Sequence, residues 1–289
     1  MDSTRRVNLS PPVVRQIETK VNGMADPLRA VITGAQGRMG SAILSLLGED
    51  DAIKPVQLID RVGSFEPGVM MDAGRWDAVQ LRDDLTRDSF DVLIDFSAPE
   101  ASLQFLEACV AAQKPMVIGT TGFTDDQQAV IAAKALEIPI MQASNYSLGV
   151  ALLTRLVRLA SATLGDQADI EIVEMHHRRK VDAPSGTALS LLEAVRAELS
   201  QEPTVADGRS GMVGPRSKGE VGMHALRGGD VVGEHSVIFA LEGERVELTH
   251  RASTRTNFAQ GAVAAAKWLS AQSSAGLYGI EHLIANRET

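Results

Sequence analysis

The run Arg29-Ala30-Val31-Ile32-Thr33, followed at once by Gly34-Ala35-Gln36-Gly37-Arg38-Met39-Gly40, constrains the fold of this chain more than any other feature. A short apolar run without alternation reads as a strand buried on both faces. Helical spacing then resumes through Ile43, Leu46 and Leu47. A strand that feeds a helix through a glycine turn is the opening unit of a parallel sheet, because a parallel return needs a crossover.

The alternation continues. Val56 to Ile59 and Asp91 to Phe96 read as further strands. Pro99 suits the first turn of a helix reaching Gln113, and Pro115 to Ile118 follows as a strand. Thr124-Asp125-Asp126-Gln127 has the capping-box form and predicts a helix to Leu136, before a strand from Ile138 to Met141. This order predicts an α/β fold, a doubly wound parallel sheet with right-handed crossovers. Ligands of such sheets sit beyond the carboxyl ends of the strands, which places Gly34, Asp60, Gly119 and Asn145 along one rim.

After Asn145 the pattern changes. A long helix is predicted from Leu148 to Leu164, a strand from Asp169 to Val173 and a second helix from Ser185 to Leu199. A loop rich in Gly, Pro and Ser separates Gln201 from Gly222. Three β-like runs follow, Gly222 to Leu226, His235 to Leu241 and Arg245 to Thr249, with no helices between them. They predict a mixed or antiparallel sheet and a second, α+β domain. Residues 148–256 are assigned to it, and 28–147 to the dinucleotide-binding domain, which residues 257–289 complete through a helix from Phe258 to Ala271. Residues 1–27 are expected to form a disordered extension. They lack the apolar centre of a secretion signal, and Asp2 and Glu18 speak against an organelle transit peptide.

The 289 residues carry a formal net charge of -9, which argues against a binder of nucleic-acid backbone. No apolar run is long enough to span a membrane. The single cysteine, Cys109, excludes an internal disulfide and suits a reducing, cytoplasmic setting; its helical apolar surroundings read as core.

Gly34-x-x-Gly37-x-x-Gly40 departs from the strict GxGxxG form but meets the same needs: a tight turn, close backbone approach and close helix packing. The helix amino terminus would offer N–H groups to a pyrophosphate, although a plain tight turn uses the same glycines. Asp60 and Arg61 end the second strand, about 20 residues beyond the last glycine, where an acid can accept from the ribose of NAD and an arginine can pair with the 2′-phosphate of NADP. A solvated charge pair is the competing reading. Gly119-Thr120-Thr121-Gly122 and Ala143-Ser144-Asn145-Tyr146 each follow a strand with small hydrogen-bonding residues that let backbone approach a nicotinamide; each is equally a simple loop.

The densest chemistry lies in Glu174-Met175-His176-His177-Arg178-Arg179-Lys180-Val181-Asp182-Ala183-Pro184-Ser185-Gly186-Thr187. Adjacent histidines point to opposite sides of a strand, and neither an i,i+4 spacing nor a nearby cysteine supports a metal site. The cations stand beside a Ser-Gly-Thr helix opening, whose hydroxyls and free N–H groups form a carboxylate clamp. Ser185 lacks the elbow of a serine hydrolase. Arg227-Gly228-Gly229-Asp230 reads as a turn, and Arg251 and Arg255 as candidates for the cleft between the domains.

From about Ala30 to about Ile284 the chain resembles the dihydrodipicolinate reductases (4-hydroxy-tetrahydrodipicolinate reductases) of lysine and diaminopimelate biosynthesis. The run His176 to Ala188 carries the resemblance, with support from Gly37-Arg38-Met39-Gly40, Asp95-Phe96-Ser97, Gly119-Thr120-Thr121-Gly122, Asn145-Tyr146-Ser147, Gly228 to His235 and Asn257-Phe258-Ala259. The resemblance implies a homotetramer that uses NADPH or NADH on a small dicarboxylate, with no metal. His176 would be the catalytic imidazole and Lys180 the proton donor; His177, Ser185, Gly186 and Thr187 would hold substrate. Gly34, Ala35, Gln36, Gly37, Arg38, Met39, Asp60, Arg61, Gly119, Thr120, Thr121, Ala143, Ser144, Asn145 and Tyr146 would line the cofactor. Two positions depart from the family pattern: Arg179 stands where His is common, and the shorter Asp60 stands where Glu is frequent.

The implied reaction is hydride addition to a conjugated cyclic imine. Lys180 can stabilise the charge that builds and then quench it if Arg178 and Arg179 lower its pKa. A homoserine or aspartate dehydrogenase would share the first domain and differ in the basic run, and a nucleotide-sensing module would bind NAD(P)H without oxidising it.

Overall fold

The computed structural model describes residues 26–86 and 90–285, so the extension expected over residues 1–27 lies outside the described residues except for its last two. The chain runs β1 (Leu28–Thr33), α1 (Arg38–Leu47), β2 (Ile53–Ile59), β3 (Met70–Ala73), β4 (Trp76–Arg82), β5 (Val92–Asp95), α2 (Pro99–Ala112), β6 (Met116–Ile118), α3 (Asp125–Lys134) and β7 (Pro139–Gln142). It continues with α4 (Leu148–Leu164), β8 (Asp169–His176), α5 (Gly186–Arg196), β9 (Thr204–Asp207), β10 (Glu220–Arg227), β11 (Gly233–Leu241) and β12 (Glu244–Ala252). The last elements are α6 (Thr256–Ser270), β13 (Gly276–Tyr278) and α7 (Ile280–Ala285).

An eight-stranded sheet has the order β13-β7-β6-β5-β1-β2-β4-β3. All of its neighbours are parallel except β3 with β4. Both faces are covered, as the unbroken apolar runs require. Ala30 and Ile32 of β1 pack with Ile43 and Leu47 of α1 and with Ala259, Ala262 and Ala266 of α6. Val31, between them, faces Leu106 and Cys109 of α2 and Ile131 of α3. The strand order reverses at β1, and there the carboxyl ends of β7, β6, β5, β1 and β2 form a continuous rim.

The second sheet has the order β12-β11-β8-β10-β9, parallel within β8, β10 and β9 and antiparallel across β11 and β12. It is mixed, as the strand runs without helices imply. Leu153 and Val157 of α4 and Leu191, Leu192 and Val195 of α5 cover one face, against Ile170, Ile172, Val221, Met223, Val237 and Phe239.

Five elements escape the sequence reading. The β3–β4 hairpin is half-exposed, and its Trp76 indole donates to the carbonyl of Leu47 at 2.8 Å. β9 falls inside the stretch read as loop, a short strand held by pairing with β10 rather than by an apolar pattern. β13 and α7 extend the tail beyond the expected helix. Because α6 packs on α1 and β13 pairs with β7, the chain leaves the first sheet after β7 and returns to it after β12.

Candidate active site

The rim of the first sheet is made mostly of backbone. Gly34 has φ +66, and a Cβ there would lie 2.2 Å from the carbonyl oxygen of Phe96. Gly37 N–H closes the turn onto Gly34 O at 3.0 Å. A Cβ on Gly40 would lie 2.2 Å from Gly34 O, so the start of α1 is seated on the turn. The helix has no side-chain cap and no acid in its first turn, which leaves its N–H groups available to an anion. Ala35 is buried, Gln36 and Arg38 are exposed, and Met39 packs against the core edge. Asp60 accepts from the backbone N–H of Gln36 at 2.8 Å and of Arg61 at 2.8 Å, joining the end of β2 to the turn; the Arg61 side chain is exposed. These features fit a pyrophosphate and ribose, with backbone donors for the first and an acid at the strand end for the second.

Toward β6 and β7 the rim rests on a buried hub. Asp95, with no exposed surface, accepts from the hydroxyls of Thr33, Ser97 and Thr120 and so joins the ends of β1, β5 and β6. Thr120 Oγ1 also accepts from Ser97 N–H at 2.9 Å. The Phe96 ring covers Gly119, where a Cβ would lie 2.1 Å from it. Thr121 and Ser144 are exposed, and Ala143 is half-buried, with its N–H on Ile118 O. The Tyr146 side chain does not face the rim: it is buried, and its hydroxyl lies between Ile118 O and Met141 O at 2.9 and 3.0 Å. Burial, reinforced by the charge of Asp95, holds its pKa well above that of a free tyrosine. Tyr146 therefore braces the rim from beneath.

At one end of the second sheet the helix-covered face turns from apolar to polar. Ile170 and Ile172 of β8 are succeeded on the same face by Glu174 and His176, at the two-residue period of a strand. Glu174 is fully buried. It accepts both nitrogens of Arg227 at 2.7 and 2.8 Å, His176 Nδ1 at 2.6 Å and the backbone N–H of Ser185 at 3.0 Å. Burial alone would raise its pKa, but the hydrogen bonds from Arg227 and His176 outweigh that and hold the carboxyl below its usual range. The Glu174 carboxylate, paired with Arg227, fixes the His176 ring through Nδ1 and leaves Nε2 outside that bond. Gly233 makes room for that edge, since a Cβ there would lie 3.0 Å from Nε2.

Ser185 is the cap of α5, and its Oγ accepts from Ala188 N–H at 3.2 Å. The hydroxyl expected to face an anion is instead buried, and its other contact is His235 Nε2 at 3.0 Å. Gly186 is exposed, with open space where a Cβ would stand. Thr187 is half-buried and meets the first sheet: Asn145 Nδ2 donates to Thr187 Oγ1 at 3.0 Å. Asn145 is in turn held by the backbone N–H of Ser147 at 2.8 Å. The rim and the turn that opens α5, about 40 residues apart in sequence, thus touch at the crevice.

Lys180 Nζ donates to Asp182 Oδ2 at 2.8 Å, so its hydrogen-bond partner is a carboxylate, in place of the purely cationic setting expected from Arg178 and Arg179. That bond holds the Asp182 carboxyl below its usual range. His177 is half-buried and has a lowered pKa, through burial first and then through the positive charges of Arg255 and Arg179, which brings Arg255 to the same region. Asp95, Glu174, Arg227 and His235 are the site residues that motif reading passed over. The usable signal was Glu174 two positions before His176, which puts both on one face of a strand. Among the described residues no group of three or more His, Cys, Asp or Glu is placed to hold a metal ion, and no helix is long and apolar enough to cross a membrane.

Residues 28–146 match the family described as Dihydrodipicolinate reductase, N-terminus, and residues 149–284 match Dihydrodipicolinate reductase, C-terminus. Among solved structures, the dipicolinate-bound dihydrodipicolinate reductase from Paenisporosarcina sp. TG-14 is similar at 25% identity, with a TM-score of 0.71 over 89% of this chain and 99% of that one. The amine dehydrogenase of Mycobacterium smegmatis shares the fold at 15% identity, with a TM-score of 0.59 over 88% of this chain and 95% of that one. The DAP dehydrogenase of C. glutamicum does so at 16% identity, with a TM-score of 0.51 over 90% and 96%. Two consecutive family matches, spanning the glycine turn, the buried Glu174 cluster and the crevice between them, place this chain in the dihydrodipicolinate reductase family.

Proposed function

We propose that the protein reduces 4-hydroxy-tetrahydrodipicolinate (dihydrodipicolinate) to tetrahydrodipicolinate, with NADPH or NADH as the reductant, in lysine and diaminopimelate biosynthesis. The observation that supports this reading is the bond between Asn145 and Thr187, which joins the rim of the first sheet to the Ser185-Gly186-Thr187 turn. The dipicolinate in the Paenisporosarcina reductase supports a planar dicarboxylate as the ligand class.

Reduced nicotinamide, when bound, supplies a hydride. Gly34, Ala35, Gln36, Gly37, Arg38 and Met39 would hold the pyrophosphate through the turn and the first N–H groups of α1. Asp60 would take the ribose and Arg61 the 2′-phosphate, while Gly119, Thr120, Thr121 and residues Ala143 to Tyr146 would border the ring. Gly186 and Thr187 would hold one substrate carboxylate, with Ser185 shaping the turn from beneath; His177, with Arg255 near it, would stand at the other end. Negative charge that develops on the substrate needs a cation and then a proton. Lys180 would exchange Asp182 for the substrate and supply both, while His176, braced by Glu174, orients or relays the proton. Residues 28–147 with 257–289 would act as the nucleotide domain and 148–256 as the substrate and assembly domain of a cytoplasmic homotetramer.

The test is consumption of NADPH in a mixture of aspartate semialdehyde, pyruvate and the preceding synthase. Absorbance of NADPH falls only when the protein is added to the complete mixture. No fall overturns the reading, and a fall with the semialdehyde alone assigns a homoserine-type dehydrogenase instead.

A further inference from the structure

One member of the buried cluster has no part in the mechanism above. His235 is 4% exposed on β11 and stands directly across from Glu174 in the strand register. Its Nε2 lies 3.0 Å from Ser185 Oγ, and its ring meets that of His176 edge-on with centroids 5.2 Å apart. Val237 and Phe239 continue the same face of β11 as core, so packing alone would favour another apolar side chain here. His235 Nδ1 is buried without a partner, a cost that a pure packing position would not carry.

The hydrogen bonds favour one tautomer. Ser185 Oγ already accepts from Ala188 N–H. If its own proton goes to His235 Nε2, only Nδ1–H remains unpartnered; if Nε2 carries the proton, the hydroxyl proton and Nδ1 both lack partners. Burial first, and the neighbouring His176 second, push the His235 pKa down to about 4, with His250 and Lys180 acting in the same sense and Glu174 against them. The groups facing it are therefore Glu174 and His176 from β8, Ser185 from the α5 turn, His250 from β12 and Lys180 from the basic run.

We propose that His235 is a positioning residue for the reduction, a buried hydrogen-bond acceptor that ties the cap of α5 to the flank of the His176 ring. Gly186 and Thr187 follow that cap directly, so the carboxylate clamp and the working imidazole are held in one register. The proposal rests on the reductase reading above. It differs from a packing role in needing an acceptor at Nε2.

The experiment compares wild-type protein with His235→Leu and His235→Gln. Leucine fills the space without the acceptor, whereas the Gln side-chain oxygen reaches where Nε2 stood. Expected is a loss of about 100-fold in kcat/KM for the dicarboxylate in His235→Leu, with KM for NADPH within about twofold of wild type, and recovery by His235→Gln to within about tenfold. His235→Leu at wild-type kcat/KM, or both variants equally impaired, overturns the proposal. Should His235→Leu fail to fold, the comparison of His235→Gln with Ser185→Ala decides: the first retains and the second loses dicarboxylate affinity, and the reverse order overturns it. Nitrogen NMR of labelled histidine gives a readout independent of turnover. A neutral Nδ1–H tautomer for His235 that changes in Ser185→Ala supports the tie, and an Nε2–H tautomer removes it. If wild-type protein neither oxidises NADPH with this substrate nor binds pyridine-2,6-dicarboxylate, the reductase reading fails separately, and the tautomer still decides the tie.

Discussion

The two sides of the crevice are built by opposite means. The first-sheet rim is a surface of backbone: Gly34, Gly37 and Gly40 bring N–H groups forward, and its one buried carboxylate, Asp95, is met by hydroxyls. The second-sheet side is a surface of side chains, in which buried Glu174 organises Arg227, His176 and the Ser185 turn. A backbone surface recognises a shape shared by every dinucleotide. A side-chain cluster carries charge and protons, and can be made specific for one substrate.

That contrast is broken most sharply at Lys180. Lys180→Ala should lower turnover by about 10²–10⁴-fold while NADPH affinity, measured by fluorescence titration, stays near wild type; parallel losses would show that the two sides are not separable. Next is Glu174→Gln, which keeps the shape and removes the charge. It should cost roughly 1–3 kcal/mol in denaturant unfolding and slow turnover, since Arg227 loses its ionised partner. On the other side, Gly40→Ala should weaken NADPH by about tenfold with turnover at saturation retained, because the new Cβ would lie 2.2 Å from Gly34 O. Arg61→Ala sharpens the comparison further: NADPH should weaken by about tenfold and NADH by less, and equal losses would assign Arg61 a structural role. The smallest effect is away from the crevice. Burial tends to raise the pKa of Glu171, but bonds from Arg209, His224 and Arg216 hold it at about 2 against 4.5 for a free carboxyl. Because the folded state has the lower pKa, this stabilisation is complete above pH 4.5 and disappears as pH falls toward 2; acid unfolding of Glu171→Gln should lack that component.

The same division explains what could be read from the sequence. The rim is readable because its demands are local: Gly34, Gly37 and Gly40 sit within one turn, and strand follows helix at a fixed rhythm. The helix from Leu148 to Leu164 matches the structure residue for residue. The second-sheet side is readable only as a list of residues. His176, Lys180 and the Ser185 turn stand in one run, but Arg227 and His235 arrive from β10 and β11 through register alone, and no spacing in the sequence announces that pairing. At Ser185 and Tyr146 the loop position suggests side-chain contact with a ligand, whereas the side chains complete buried hydrogen bonds. The β3–β4 hairpin and β9 go unread because their apolar residues follow no clean alternation and pairing with partner strands defines them.

The return of the chain to its first sheet has a consequence for synthesis. As the polypeptide leaves the ribosome, β1 to β7 emerge first but lack α6 and β13, the elements that seal one face and one edge. The middle stretch, with Leu153, Ile172, Leu191 and Phe239 in a core of its own, has all its pieces before the opening one does. Amino-terminal-first maturation, the usual order for multidomain chains, runs against this topology, because the first sheet gains its last face and edge only from α6 and β13.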